Sequence, residues 1–244
     1  MKLLEVYERF FSLKKCIACG EILPYEERNN ALCDTCRFLW DGAKTESCPD
    51  CFKSAVECTC QPKELGELGV LCIRKLIFYQ KKLKGGKYYR AIYRLKRKKS
   101  KRAERFFAEE LMPLVKEELA ALGIKENEDK RAVITFVPRG IKARKAYGFD
   151  QSARVAARLG EILDIPCVQC VKRVRRIKEQ KKLTRKQRFK NAEGSFALIN
   201  ADVKGKAVFL FDDIVTTGAS MYAAAKLIIK SGALCVIGLC IAED

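Results

Sequence analysis

The chain has 244 residues, 48% of them hydrophobic, with 49 basic and 30 acidic side chains and no histidine. That length accommodates one α/β domain of ordinary size plus a small appendage; no apolar run reaches the roughly 18 residues of a membrane-crossing helix, and MKLLEVYERFFSLKK, broken by Glu5, Glu8 and Arg9, lacks a signal-peptide core, so a cytoplasmic protein is expected. The net charge of +19 hardly changes between about pH 5 and 8 without histidine, and it implies a polyanionic partner.

Eight of the 13 cysteines lie before residue 63 in close pairs: Cys16-x-x-Cys19, Cys33-x-x-Cys36, Cys48-x-x-Cys51 and Cys58-x-Cys60. The residues between them are polar and turn-forming, with too few apolar side chains for a core of their own. In a cytosolic chain, thiols spaced like this read as metal ligands rather than disulfides. A Cys-x-x-Cys knuckle offers two thiolates, and two knuckles close a tetrahedral structural zinc site. The simplest pairing is Cys16, Cys19, Cys33 and Cys36 for one ion and Cys48, Cys51, Cys58 and Cys60 for a second; an interleaved arrangement or a single ion also satisfies the spacing. Metal binding would supply folding energy that the missing core cannot. The pattern divides the chain into a cysteine-rich domain, 1–63, and a second domain, 64–244.

Residues 66–79 read as strand or mixed structure. Helical spacing follows from Tyr88 and again in ERFFAEELMPLVKEELAAL, where Pro113 is expected to kink or restart the helix. RAVITFVP is a short β-branched run expected as a buried strand. SARVAARLGEILD returns to helical spacing, IPCVQCV reads as a strand, and the basic tract 172–190 as a loop. KAVFLFD is a strand, SMYAAAKLIIKSG a helix stopped at Gly232, and ALCVIGLCIA a final strand. Alternating helices and unbroken apolar strands predict an α/β fold with a parallel sheet flanked by helices on both faces. Cys72, Cys167, Cys170, Cys235 and Cys240 are expected in the core, with Cys167 and Cys170 pointing to opposite faces.

Two stretches concentrate positive charge. Between Arg74 and Arg105 the only acid is Glu104, and KRVRRIKEQKKLTRKQRFK spans 172–190. Phe78, Tyr79, Tyr88, Tyr89, Tyr93 and Phe189 punctuate them. Positive charge follows a phosphate backbone and exposed rings stack on unpaired bases, although Tyr89 and Tyr93 also fit a core at helical spacing. Lys96, Arg97, Lys98, Arg175 and Arg188 are the candidate contacts to nucleic acid.

The stretch VFLFDDIVTTGAS, 208–220, joins an apolar strand to Asp212 and Asp213 and then to small hydroxyl residues. Ligands of doubly wound sheets bind outside the carboxyl ends of the strands. Gly218 permits backbone geometry other residues resist, so that successive N–H groups and the start of the next helix form an anion nest. Two carboxylates beside a phosphate cradle suit a sugar phosphate: the acids accept from ribose hydroxyls and the nest takes the 5′-phosphate. A nucleoside triphosphatase would need G-x-x-x-x-G-K-[ST], which neither GGKYYR nor GIKARK supplies.

This stretch resembles the phosphoribosyl pyrophosphate (PRPP) motif of type I phosphoribosyltransferases. From about residue 16 to 242 the chain resembles the ComF/GntX family, competence-associated proteins that join an N-terminal zinc ribbon to such a domain. Leu95-Lys96, Val137-Pro138, Gly148-Phe149, Gln151, Arg175, Gln180, Leu183, Arg188, Asn191, Gly194 and Phe196 match its pattern, while Arg97 to Lys101 (RKKSK), Phe136, Tyr147, Asp150 and Ile177 depart from it. The resemblance implies that Asp212 and Asp213 hold the ribose diol and serve catalysis. It places the 5′-phosphate on Thr216, Thr217, Gly218, Ala219 and Ser220, and sets Arg139 against the pyrophosphate, which Lys96, Arg175 and Arg188 would help neutralise. It further implies magnesium carried with PRPP, transfer to a nitrogenous acceptor, single-stranded DNA as the polymer, and competence partners such as a DNA translocase.

Overall fold

The computed structural model describes residues 13–79, 86–125, 131–174, 184–199 and 203–244. Its strands are β1 (Val70–Phe78), β2 (Ala132–Phe136), β3 (Val171–Arg173), β4 (Phe196–Leu198), β5 (Ala207–Val215) and β6 (Cys235–Glu243). Among the described residues, β1, β6, β5 and β2 lie side by side in that order, all parallel, and β3 pairs antiparallel with β4. The helices are α1 (Asp34–Lys44), α2 (Lys63–Leu68), α3 (Lys87–Arg97), α4 (Lys101–Ala121), α5 (Ile141–Tyr147), α6 (Gln151–Leu163), α7 (Arg185–Ala192) and α8 (Ala219–Lys230).

The central strand β5 is apolar on consecutive residues because both of its faces are covered. Ala207, Phe209 and Phe211 meet one layer, where Leu95 of α3, Phe107 and Val115 of α4, and Val155 and Leu159 of α6 are buried. Val208 and Leu210 meet the other, where Leu65 of α2, Phe189 of α7 and Met221, Ala224 and Ile228 of α8 are buried. The sheet flanked by helices on both faces is the expected architecture.

Several local expectations change. Residues 66–79 are the end of α2, a stop at Gly69 with φ +95°, and then β1. Pro113 lies inside one continuous helix, α4. The proline removes one N–H donor, but Phe107 and Leu111 before it and Leu114 and Val115 after it are all buried, and this packing holds the helix together across it. The segment IPCVQCV makes a single bridge to β2, with Ile134 N–H donating to Pro166 O (2.9 Å) and Val168 N–H to Ile134 O (2.9 Å); β3 begins only at Val171. Cys167 nonetheless packs against one layer and Cys170 against the other. The basic tract is no uniform loop: it opens with β3 and closes with α7, whose capping box is Thr184 and Gln187. Residues 175–183, with Arg175, Ile177, Gln180 and Leu183, lie outside the described residues.

The cysteine-rich stretch lacks a core of its own, as expected, but shares one. Leu23, Leu32, Trp40 and Ala43 are buried in the layer that contains α3 and α4. Trp40 meets Phe106 and Phe107 edge-on at 5.5 and 5.7 Å, and Glu110 of α4 accepts from Arg37 (2.7 Å), Trp40 Nε1 (2.9 Å) and Lys44 (2.8 Å). Burial works against the Glu110 charge, and these three donors outweigh it, holding the carboxyl below its ordinary range.

Candidate functional site

The carboxyl ends of β2 and β5 lie together. Phe136 is in register with Phe211, and Val137 N–H donates to Phe211 O at 2.9 Å, which sets Pro138 and Arg139 beside Asp212. The strand β5 runs through both aspartates to Val215 rather than ending before them. Each carboxylate folds over the next N–H: Asp212 Oδ1 accepts from Asp213 N (2.9 Å), and Asp213 Oδ1 from Ile214 N (2.7 Å). Burial and the Asp213 charge push the Asp212 carboxyl well above the ordinary range, against the pull of Lys96 and Arg173.

Three elements distant in sequence reach this pair. Gln151, the first residue of α6, donates from Nε2 to Asp213 Oδ2 at 2.5 Å. Lys96, near the end of α3, places Nζ 3.3 Å from Asp213 Oδ1. Arg173 of β3 donates from Nε to Pro138 O (3.2 Å) and lies over the Phe196 ring at 4.4 Å; burial lowers its pKa, with Asp212 and Asp150 opposing. Arg139 stands over Tyr147 at 4.6 Å and Phe149 at 5.7 Å, and its backbone N–H donates to Asp150 Oδ2 (2.7 Å). Asp150 also caps α6 by accepting from Ser152 N and Ala153 N. Arg139 Nη1 and Gln151 Oε1 are both buried without a hydrogen-bond partner. A buried donor and a buried acceptor without partners, on residues next to Asp150 and Asp213, are groups that a polar ligand would satisfy.

The loop after Val215 turns at Gly218, whose φ of +75° is left-handed. A Cβ there would also stand 2.9 Å from Leu65 Cδ1 and 3.2 Å from Pro62 Cγ. Thr216 is exposed, Thr217 and Ser220 half-buried, Gly218 and Ala219 buried. Since α8 starts at Ala219, the N–H groups of its first turn have no intrahelical acceptor, the arrangement that suits an anion.

The structure thus brings Lys96 to Asp213, and sets Arg139 at the carboxyl end of β2, next to the end of β5 that carries the aspartates. Arg97 and Lys98, at the end of α3, and Arg188, on α7, are exposed. Gln151 and Arg173 had no place among the candidate contacts. Gln151 carried a signal, its position in the YGFDQ match; Arg173 carried none that separated it from its basic neighbours.

The rings of the basic tracts are mostly packed. Tyr89 is 1% and Phe189 8% exposed; Tyr89 donates to Phe78 O, and Tyr79 shares a hydrogen bond with Tyr93. Much of the first tract is also employed internally. Arg94 and Arg102 donate to the backbone carbonyls of Cys16, Ile17, Cys19 and Lys15, and Arg74 to Val56 O as well as Glu117 and Glu118. These cations add donors to backbone carbonyls of the cysteine-rich stretch.

The eight cysteines form the two groups of the simplest pairing, with the sulfurs of each group within 4.8 Å of one another. Cys19 and Cys33 Sγ are 3.7 Å apart, against about 3.8 Å across an ideal zinc tetrahedron with ~2.3 Å bonds. Antiparallel bridges, Lys15 with Ile22 and Ser47 with Ser54, close the first knuckle of each group. Burial works upward on Cys16 and Cys48, but neighbouring N–H groups outweigh it and bring each thiol down to about 7. Burial raises Cys19 to about 11 and Cys60 to about 12. Four crowded thiols that cannot all ionise by themselves are a donor set that a dication suits, and both groups fit zinc. Among the described residues, no helix is long and apolar enough to cross a membrane.

Residues 148–244 match the phosphoribosyl transferase domain family, a span that contains Gln151, Arg173, the two aspartates and the loop. No curated protein matches the chain. Among solved structures, the chain is similar to phosphoribosylpyrophosphate synthetase from Mycobacterium smegmatis, at 20% identity and a TM-score of 0.36 over 56% of this chain and 33% of that one. It is also similar to purine phosphoribosyltransferase from Pyrococcus horikoshii, at 24% identity and a TM-score of 0.35 over 57% of this chain and 73% of that one. The chain thus spans about a third of the synthetase's length.

Proposed function

We propose that this protein binds PRPP at the carboxyl edge of β5 and transfers its phosphoribosyl group to a nitrogenous acceptor. The observation that carries the reading is the aspartate pair running into the left-handed turn at Gly218, within the segment matched to the phosphoribosyl transferase domain family. In this reading Asp212 and Asp213 accept from the ribose hydroxyls. Thr216, Thr217 and Ser220 and the N–H groups of the 216–220 loop hold the 5′-phosphate. Arg139, whose Nη1 has no partner, turns to the pyrophosphate, and Lys96 and Arg173 add positive charge on the same side. Magnesium arriving with PRPP neutralises part of the charge on the leaving pyrophosphate. Gln151 fixes the Asp213 carboxylate, so that the ribose is held in one orientation as its C1–oxygen bond breaks and the acceptor nitrogen attacks C1. Zinc in both cysteine groups is structural, since four thiolates leave no open position.

Calorimetric titration of the zinc-loaded protein with PRPP and magnesium tests this. Saturable binding that disappears in Asp212→Asn/Asp213→Asn is the expected result. Absence of binding to the folded wild type overturns the reading.

A second reading, a polyanion-binding role of the competence type with single-stranded DNA as ligand, draws on the net charge of +19 and the exposure of Arg97, Lys98 and Arg188. The packed tyrosines weigh against base stacking, so binding would be mainly to phosphates and would fall steeply with salt. Affinity that is flat between 50 and 200 mM salt, or unchanged on replacing the three cations, would exclude it.

A further inference from the structure

The second cysteine group stands behind the phosphate loop, and two separate paths connect them. Along the chain, Cys60 is followed by Gln61, whose Nε2 donates to Val70 O (2.8 Å), and by Pro62, whose carbonyl accepts from Leu65 N (2.9 Å). Pro62 and the fully buried Leu65 lie directly beneath Gly218, so close that a single added Cβ would not fit. Through the sheet, the path is Lys75. It is 1% exposed, and its Nζ donates to Cys60 O (2.7 Å) and Cys58 Sγ (3.5 Å) and pairs with Glu243. Glu243 is in register with Val215, and the next residue, Asp244, donates its N–H to Val215 O (2.9 Å). Val215 is the last residue before Thr216. A lysine buried this deeply is held by its partners; the positions of Cys58, Cys60 and the end of β5 are therefore tied to one ammonium group. Among the described residues, the first cysteine group meets α3 and α4 through Arg94 and Arg102; α3 leads on to Asp213 through Lys96, whereas the turn at Gly218 rests on Pro62 and Leu65, which follow the second group.

We propose that the Cys48, Cys51, Cys58 and Cys60 group is a positioning element of the phosphate loop, with Leu65 and Lys75 as the positioning residues that link them. Metal held there fixes the Cys58–Leu65 segment, which in turn holds Gly218 and the residues around it in the phosphate-accepting shape. Metal occupancy of this group and affinity for a phosphate ester at the loop are then thermodynamically linked, and the linkage acts in both directions. The ligand half of this inference rests on the PRPP reading; the loop half does not.

The test uses the full-length, zinc-loaded protein and two readouts. Hydrogen exchange of peptides covering 215–222 is compared in wild type, Leu65→Ala, Lys75→Met, Cys58→Ser/Cys60→Ser and, as control, Cys33→Ser/Cys36→Ser. The expected result is at least tenfold faster exchange in the first three variants and none in the control. Leu65→Ala and Lys75→Met should retain both zinc ions by native mass spectrometry, so a change in them reports the linkage and not loss of metal. In the second readout, saturating PRPP with magnesium should slow zinc transfer from the second group to a zinc-selective chelator at least tenfold and leave the first unaffected. Loop exchange unchanged in Leu65→Ala and Lys75→Met overturns the proposal whether or not PRPP binds. Loop exchange accelerated as expected, in a protein that calorimetry shows not to bind PRPP, sustains the positioning role and sinks the ligand reading alone.

Discussion

Replacing Gly218 by alanine isolates the turn on which the candidate phosphate site depends. Two costs add. Alanine in the left-handed region is disfavoured by about 1–2 kcal/mol, and Gly218 sits at φ +75°. The new Cβ would also lie 2.9 Å from Leu65 Cδ1 and 3.2 Å from Pro62 Cγ. Leu65 is fully buried and cannot swing into solvent, and forcing a methyl into a packed site costs typically about 1–3 kcal/mol. The total is about 2–5 kcal/mol. Gly205 separates the terms, because its φ is +70° but an added Cβ meets nothing within 4 Å; Gly205→Ala should lose only about 1–2 kcal/mol. Urea unfolding can be followed through Trp40, the only tryptophan, which is buried. With a slope of about 3 kcal/mol per molar urea, Gly218→Ala should lower the midpoint by about 0.7–1.7 M. Adding Leu65→Ala to Gly218→Ala should recover the contact part as a non-additive term. Equal losses for Gly218→Ala and Gly205→Ala, with no coupling to Leu65, would refute the packing of α2 beneath the loop.

Three other outcomes follow from the same structure. The Asp212 carboxyl is held well above its ordinary value, so the folded chain binds that proton more tightly than the unfolded chain. Its contribution to stability is therefore present at low pH and lost as pH rises from about 3.9 through the folded value; Asp212→Asn should raise the Tm at pH 7 and flatten this loss, and an unchanged Tm would show that the two acids do not repel. Glu110→Ala strips the buried Trp40 Nε1 and two cations of their shared acceptor, and should cost about 2–4 kcal/mol in urea unfolding with a red-shifted Trp40 emission; the depressed Glu110 pKa means this stability is present above about pH 4.3 and fails as pH falls through the folded value. Native mass spectrometry should find two zinc ions per chain, and their removal should lower the Tm and loosen Trp40; a chain that folds fully without metal would contradict the structural role.

Features carried by neighbours in the chain were legible in the amino-acid order. The apolar run of β5, the aspartates at its end, the glycine turn and the four cysteine pairs are local patterns, each with a short-range physical cause: strand burial, left-handed backbone, knuckle spacing. What only the tertiary structure decided is which distant groups meet them. Gln151 reaches Asp213 from 62 residues away, Lys96 from the end of another helix, and Glu110 gathers Arg37, Trp40 and Lys44 across about seventy residues. The basic tract between Arg74 and Arg105 looked like a surface for a polyanion. In the folded chain Arg74 and Lys75 are buried, and Arg94 and Arg102 are engaged by backbone carbonyls of the cysteine-rich stretch, so these cations have partners within the protein. Composition records how many cations the chain carries. Whether a cation meets solvent or a buried carbonyl depends on contacts between residues far apart in sequence, which no local pattern encodes.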